Sequence, residues 1–301
     1  MNKKIIKVPR LDQNIDSFDQ WDRFISIVSP LFDKSIPIIL DFSECGFIGP
    51  EGTALIAGLK IFRNDRGYIT ELDVTSVLSS VKVVLERSGL MGLFFPSESG
   101  WQPSHKDSTL PIFCLKSKDK DSAIEYIENQ ILIRKEVPHM TERLKKDIRV
   151  SFFEIFNNIF NHSESPIGGV VCGQVFPTDH TVKIVFYDTG IGVANKVLNH
   201  KTDLKSDVEA IEWALERGNS TLGETIGQPR GLGLYLIQEF IKINTGIFRI
   251  SANSGALMEK DGKRSKGMLS LPLHGTIIDI TIKTQEHLIY GYKDEFSYLR
   301  Q

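Results

Sequence analysis

Glu154, Asn157, Asn158, Asn161 and His162 lie at spacings of three and four residues within the run DIRVSFFEIFNNIFNHSES, Asp147 to Ser165. On a helix these spacings stack side chains along one face. That face would present a carboxylate, three amides and an imidazole together. A carboxylate can take a proton from water or a hydroxyl, and amide oxygens beside it suit a hard divalent cation that holds phosphates. Ile148, Phe152, Ile155, Phe156 and Ile159 recur at the same period and form the core-facing stripe. Asn is a poor helix former because its amide competes for backbone groups. Three of them on one face imply selection for something besides helix stability. A solvated amphipathic helix is the plainer reading, and this stretch alone does not choose between the two.

Three further stretches carry residues suited to a nucleotide. DTGIG, Asp188 to Gly192, follows the strand-like run TVKIVFY. Val182, Ile184 and Phe186 alternate there, and Asp188 keeps their parity, which sends its carboxylate to the covered side of a sheet. A buried carboxylate is costly without hydrogen-bond partners; a turn-forming Asp before Gly is the alternative. Gly190 and Gly192 allow backbone to approach a ligand closely. Next, GNSTLGETIGQPR, Gly218 to Arg230, has the glycines of a mobile loop, and RGLGL, Arg230 to Leu234, opens the apolar helical run GLYLIQEFI. Backbone N–H groups at such a helix start favour phosphate. Arg230 is either a charge-assisted phosphate contact or a surface residue. Last, Gly275-Thr276 precedes the strand IIDITI, and Thr276 shares parity with Ile278, Ile280 and Ile282. Its hydroxyl would join Asp188, unless Thr stands there only for β propensity.

Glu154 with Asn158, then DxGxG, then GxG before a helix, then GT before a strand resembles the GHKL superfamily of ATPases. That superfamily includes gyrase-type ATPases, histidine kinases and anti-sigma-factor serine kinases. Each motif alone is common; four in order, each in its structural context, carry the resemblance, which covers about Leu110 to Lys283. It implies a two-layer α/β sandwich binding ATP with Mg²⁺. It places Glu154 as general base and Asn158 as the Mg²⁺ ligand, with Asn161 also at the nucleotide. Asp188 would accept from the adenine amine, with Gly190, Gly192 and Thr276 around it. Ser220 and Thr221 would start the lid. Arg230, Gly231, Leu232, Gly233 and Leu234 would hold phosphates.

The first half alternates strand-like and helix-like runs, which predicts an α/β layer structure. IILDFSECGFIGPEGTALIAGL, then RGYITELDV and VLERSGL, resemble a STAS domain over about Lys4 to Phe95. In regulated members of that family a phosphorylatable Ser or Thr begins the helix after the second buried strand. Here that position reads Gly49-Pro50-Glu51-Gly52. Glu51 is expected to complement the helix dipole; a permanent negative charge replacing a phosphate is the alternative. The expected organisation is a STAS-like domain at 1–95, a linker at 96–109, a GHKL domain at 110–283 and a tail at 284–301. The tail tyrosines, Tyr290, Tyr292 and Tyr298, would dock on a partner or on their own chain.

Composition fits a soluble α/β (α+β) protein, with 41% apolar and 25% charged residues among 301. A net charge of -2 carries no nucleic-acid footprint. No apolar run approaches a membrane span, and the lysines near the start precede no apolar segment of a secretory signal. Cys45, Cys114 and Cys172 form neither a disulfide framework nor a zinc pattern. Cytoplasm is the expected compartment. A sensor histidine kinase is not expected, because His139 lies too close to Glu154 to be its acceptor and the preceding region resembles STAS instead; nor is an autonomous ATP-driven clamp, given the short stretch after Lys283. The expected function is therefore an Mg-ATP-binding regulatory protein, an ATPase or protein-serine kinase. It would act on a separate STAS-like or other regulatory partner, with homodimerisation through the first half as one expected form. A nucleotide-gated interaction module without turnover is the alternative.

Overall fold

The computed structural model describes residues 3–12, 18–96, 108–115, 120–162, 164–221, 233–284 and 288–300. It is a mixed α/β structure. In the first half, β1 (Lys4–Lys7), α1 (Asp19–Val28), β2 (Ile38–Asp41), α2 (Pro50–Asp65), β3 (Thr70–Leu72), α3 (Ser79–Arg87) and α4 (Leu90–Phe94) follow one another. The strands form a parallel sheet in the order β1-β2-β3. Pro50 at the first turn of α2 has the fixed φ that a helix start accepts. Gly89, at φ +83, breaks the chain between α3 and α4 where a side chain would be strained.

The second half holds β4 (Thr109–Leu115), α5 (Lys120–Tyr126), β5 (His139–Met140), α6 (Glu142–His162), β6 (Gly169–Phe176), β7 (Thr181–Asp188), α7 (Val193–His200), α8 (Asp207–Leu215), α9 (Gly233–Asn244), β8 (Ile247–Lys260), β9 (Lys263–Lys283) and β10 (Ile289–Tyr290). Five of these strands form an antiparallel sheet in the order β4-β6-β7-β9-β8. Thr141 caps α6: its hydroxyl accepts from the Leu144 N–H at 3.3 Å. Thr141 and Leu144 do not make a capping box, yet the hydroxyl alone satisfies one of the orphan N–H groups of the first turn. Thr109 already belongs to β4, and 97–107, with Trp101, lie outside the described residues.

Sheet parity splits the core in two. Val171, Val182, Ile184, Phe186, Phe248, Ile250, Ile278 and Ile280 point to the face covered by α6 and α9, against Phe152, Phe156, Ile237 and Phe240. Val170, Cys172, Val185, Tyr187 and Ile277 point to the other face and pack with the buried residues of the first half. The expected two-layer sandwich is thus extended to three layers: first half, sheet, helices. The packing is tight enough that a Cβ on Gly58 of α2 would stand 2.4 Å from the Tyr187 ring. Trp21 donates through its indole N–H to Ser251 at 3.0 Å, and Ser29 donates to the Pro272 carbonyl at 2.6 Å. His274 stacks on Phe32, with ring centroids 4.8 Å apart, and meets Phe62 edge-on.

Glu51 stands in the first turn of α2, where an acidic side chain complements the helix dipole as expected, and it has a second role that was not expected. It is buried at the junction of the halves, where its carboxylate accepts from Lys183 at 3.0 Å. The tail docks on its own chain. β10 pairs with β5, Tyr290 packs edge-on against Phe240 of α9, and Tyr292 donates to Asp147 of α6 at 2.6 Å. Burial and that hydrogen bond push the Tyr292 phenol up to about 12. Among the described residues no helix is long and apolar enough to cross a membrane.

Candidate functional site

The site is assembled at one end of the sheet, where β7 stops at Asp188 and β9 arrives through Gly275-Thr276. Asp188 and Thr276 are direct cross-strand partners. The shared parity expected for them is present, and both side chains are buried. Asp188 accepts from the Gly190 N–H at 2.8 Å. The Thr276 hydroxyl and backbone also favour its charged form, yet burial outweighs them and pushes the carboxyl up to about 7. A carboxyl poised there responds strongly to one added donor. Thr276 Oγ1 in turn accepts from the Val193 N–H at 2.9 Å, which fixes the start of α7.

Two glycines permit this closeness. Gly275 sits at φ +93, and a Cβ there would stand 2.0 Å from the Asp188 carbonyl oxygen. Gly192 sits at φ +82, and a Cβ there would meet Asn253 Oδ1 at 2.4 Å. Asn253 was not among the expected site residues. It interrupts β8 at a register shift, with φ +53, and reaches across to the DTGIG loop. Its amide donates to the Ile191 carbonyl at 3.0 Å and accepts from the Asn195 N–H at 3.1 Å. Its sequence signal is the polar Asn253-Ser254-Gly255 inside a strand-like run, a pattern that marks a bulge. Ser165, just past α6, shares a hydrogen bond of 2.8 Å with Thr189 and ties α6 to the same loop.

The second cluster lies where α6 meets α9. Glu154, half-buried on α6, accepts from the Gly233 N–H at the first described turn of α9. Burial raises the Glu154 carboxyl above its ordinary range, and the Gly233 bond partly offsets this. Gly233 has to lack a side chain: a Cβ would stand 2.7 Å from that of Glu154. One turn on, Asn158 is exposed and Asn157 half-exposed, so the amides are free to meet a ligand. The side chain of Asn161 lies outside the described positions, as do Arg230, Gly231 and Leu232. Ser220 and Thr221 are half-exposed beyond α8, after Gly218 at φ +84. Leu234 packs into the helix-side core.

Chemically, one end of the arrangement offers a buried acceptor beside a hydroxyl. The other offers a half-buried carboxylate at a helix start with exposed amides a turn away. Among the described residues no group of three His, Cys, Asp or Glu forms a ready metal cage. No protein-family model and no curated protein matches this chain.

Proposed function

We propose that the second half is an Mg-ATP-binding domain of the GHKL type, that the first half is STAS-like, and that the protein acts as an ATPase or protein-serine kinase through a partner protein in the cytoplasm. The observation that carries this reading is the buried Asp188–Thr276 pair at the sheet end. A carboxylate held near its ionisation midpoint is stabilised in its charged form by an N–H donor. The exocyclic amine of adenine is such a donor, whereas guanine presents an acceptor at that position.

The remaining residues fit a triphosphate. Asn158 is exposed beside Glu154, and Mg²⁺ characteristically takes one or two protein oxygens together with substrate phosphates, so a sparse donor set suits it. Bound there, Mg²⁺ would spread the charge of the phosphates. Glu154 would take the proton from the attacking water or hydroxyl, its raised affinity for protons bringing it closer to the working pH. The N–H groups at the start of α9 favour negative charge.

One observation favours a nucleotide-gated module without turnover: Glu154 is occupied by the Gly233 amide. A carboxylate used as a helix cap is a structural element of the α6–α9 contact. Single-turnover assays with labelled ATP separate the readings. Label on an added partner indicates a kinase and free phosphate an ATPase. Neither product, with binding retained, indicates the gated module.

A further inference from the structure

The back of the five-stranded sheet carries four buried charged side chains. Lys183 of β7, Arg249 of β8 and Asp279 of β9 come from three strands, and Glu51 comes from the first turn of α2 in the first half. Lys183 lies 3.0 Å from Glu51 and 3.6 Å from Asp279; Arg249 lies 3.3 Å from Asp279 and 3.9 Å from Glu51. The sheet alone therefore brings two cations and one carboxylate to this face. Glu51 supplies the second carboxylate, so these four described side chains balance in charge. Charges buried at this depth are tolerated when paired and costly when one partner is removed.

The surrounding contacts seal the same place. Gly49, Pro50, Gly52 and Thr53 are buried with Glu51, and Cys172 Sγ lies 3.4 Å from the Pro50 carbonyl oxygen. Gly58 follows two turns later against Tyr187 and Thr189. The start of α2 is thus inaccessible to another protein while the halves are together.

We propose that the first half is a fixed back layer of the five-stranded sheet, locked there by Glu51 through its buried ion pairs with Lys183 and Arg249, and that it is not an exchangeable regulatory module. This inference is independent of whether ATP binds. Any protein partner then meets the molecule on another surface than the back of the sheet.

Hydrogen exchange followed by mass spectrometry on the full chain tests it, comparing wild type, Glu51→Gln and Glu51→Gln/Lys183→Met. Glu51→Gln leaves the cluster with an excess cation. Amides of α2, β7 and β8 should then exchange faster together, by roughly tenfold or more. The double variant removes the excess cation, retains the Arg249–Asp279 pair and should recover most of the lost protection, a non-additive outcome diagnostic of direct coupling. If Glu51→Gln fails to fold, folding of the double variant supports the lock equally. Wild-type protection in Glu51→Gln, a double variant as loose as the single one, or failure of both to fold would each overturn it.

Discussion

Asp188 and Thr276 face each other across the β7–β9 ladder, and the Gly275 that precedes Thr276 passes so close to the Asp188 carbonyl that no side chain fits between them. This contact fixes the acceptor end of the site by backbone geometry. The functional reading concerns what that acceptor meets.

A first prediction follows from the Asp188 carboxyl, which lies at about 7 in the folded protein against an ordinary value of 3.8. The raised value means that the unliganded fold prefers the protonated form, and this preference contributes less to stability as pH rises through about 7. An adenine amine requires the ionised form. ATP affinity should therefore rise with pH between 6 and 7.5, by at most about tenfold per unit, with proton release on binding. Calorimetry in buffers of different ionisation enthalpy measures this; a flat profile with no proton release contradicts it.

Asn253→Gly should weaken nucleotide binding while leaving the fold intact. Glycine accepts the positive φ of Asn253, so the substitution removes only the hydrogen bonds to Ile191 and Asn195. A loss of roughly tenfold in ATP affinity is expected from two such bonds. Titration with unchanged circular dichroism is the check.

Gly58→Ala tests the packing of the halves. Its methyl group would drive into the Tyr187 ring, which cannot retreat easily because its hydroxyl donates to the His274 carbonyl at 2.7 Å. The expected cost is about 1–3 kcal/mol, as for other overpacked cores. Denaturant unfolding gives the value; a stability within error of wild type would show that the interface yields.

Glu154→Gln should keep ATP binding and lose turnover by roughly a hundredfold or more if the carboxylate is the base. Phosphate release in a single turnover, with affinity measured in parallel, decides. Turnover unchanged from wild type would assign Glu154 to capping α9.

Much of this was legible in the sequence because parity and turn chemistry are local. The strand run that ends in Asp188, the shared face of Asp188 and Thr276, and the core stripe of α6 all follow from period and punctuation. The charges on the back face were not legible. Lys183, Arg249 and Asp279 look like the outward, solvated positions of half-buried strands; the packing of the first half on that face makes them interior, as in the contact of Lys183 with Glu51, 132 residues away in sequence. The tail tyrosines were equally ambiguous, since nothing near Tyr292 in sequence names Asp147 as its acceptor. Asn253 left a weak trace, a polar triplet within a strand, whose meaning depends on the loop it reaches.

The most direct measurement is calorimetric titration of ATP and GTP, each with Mg²⁺, into wild type and Asp188→Ala. The account predicts that wild type binds ATP and discriminates against GTP, and that Asp188→Ala, with an unchanged circular dichroism spectrum, binds neither. Equal ATP affinity in wild type and Asp188→Ala, or no ATP binding by wild type, would contradict it.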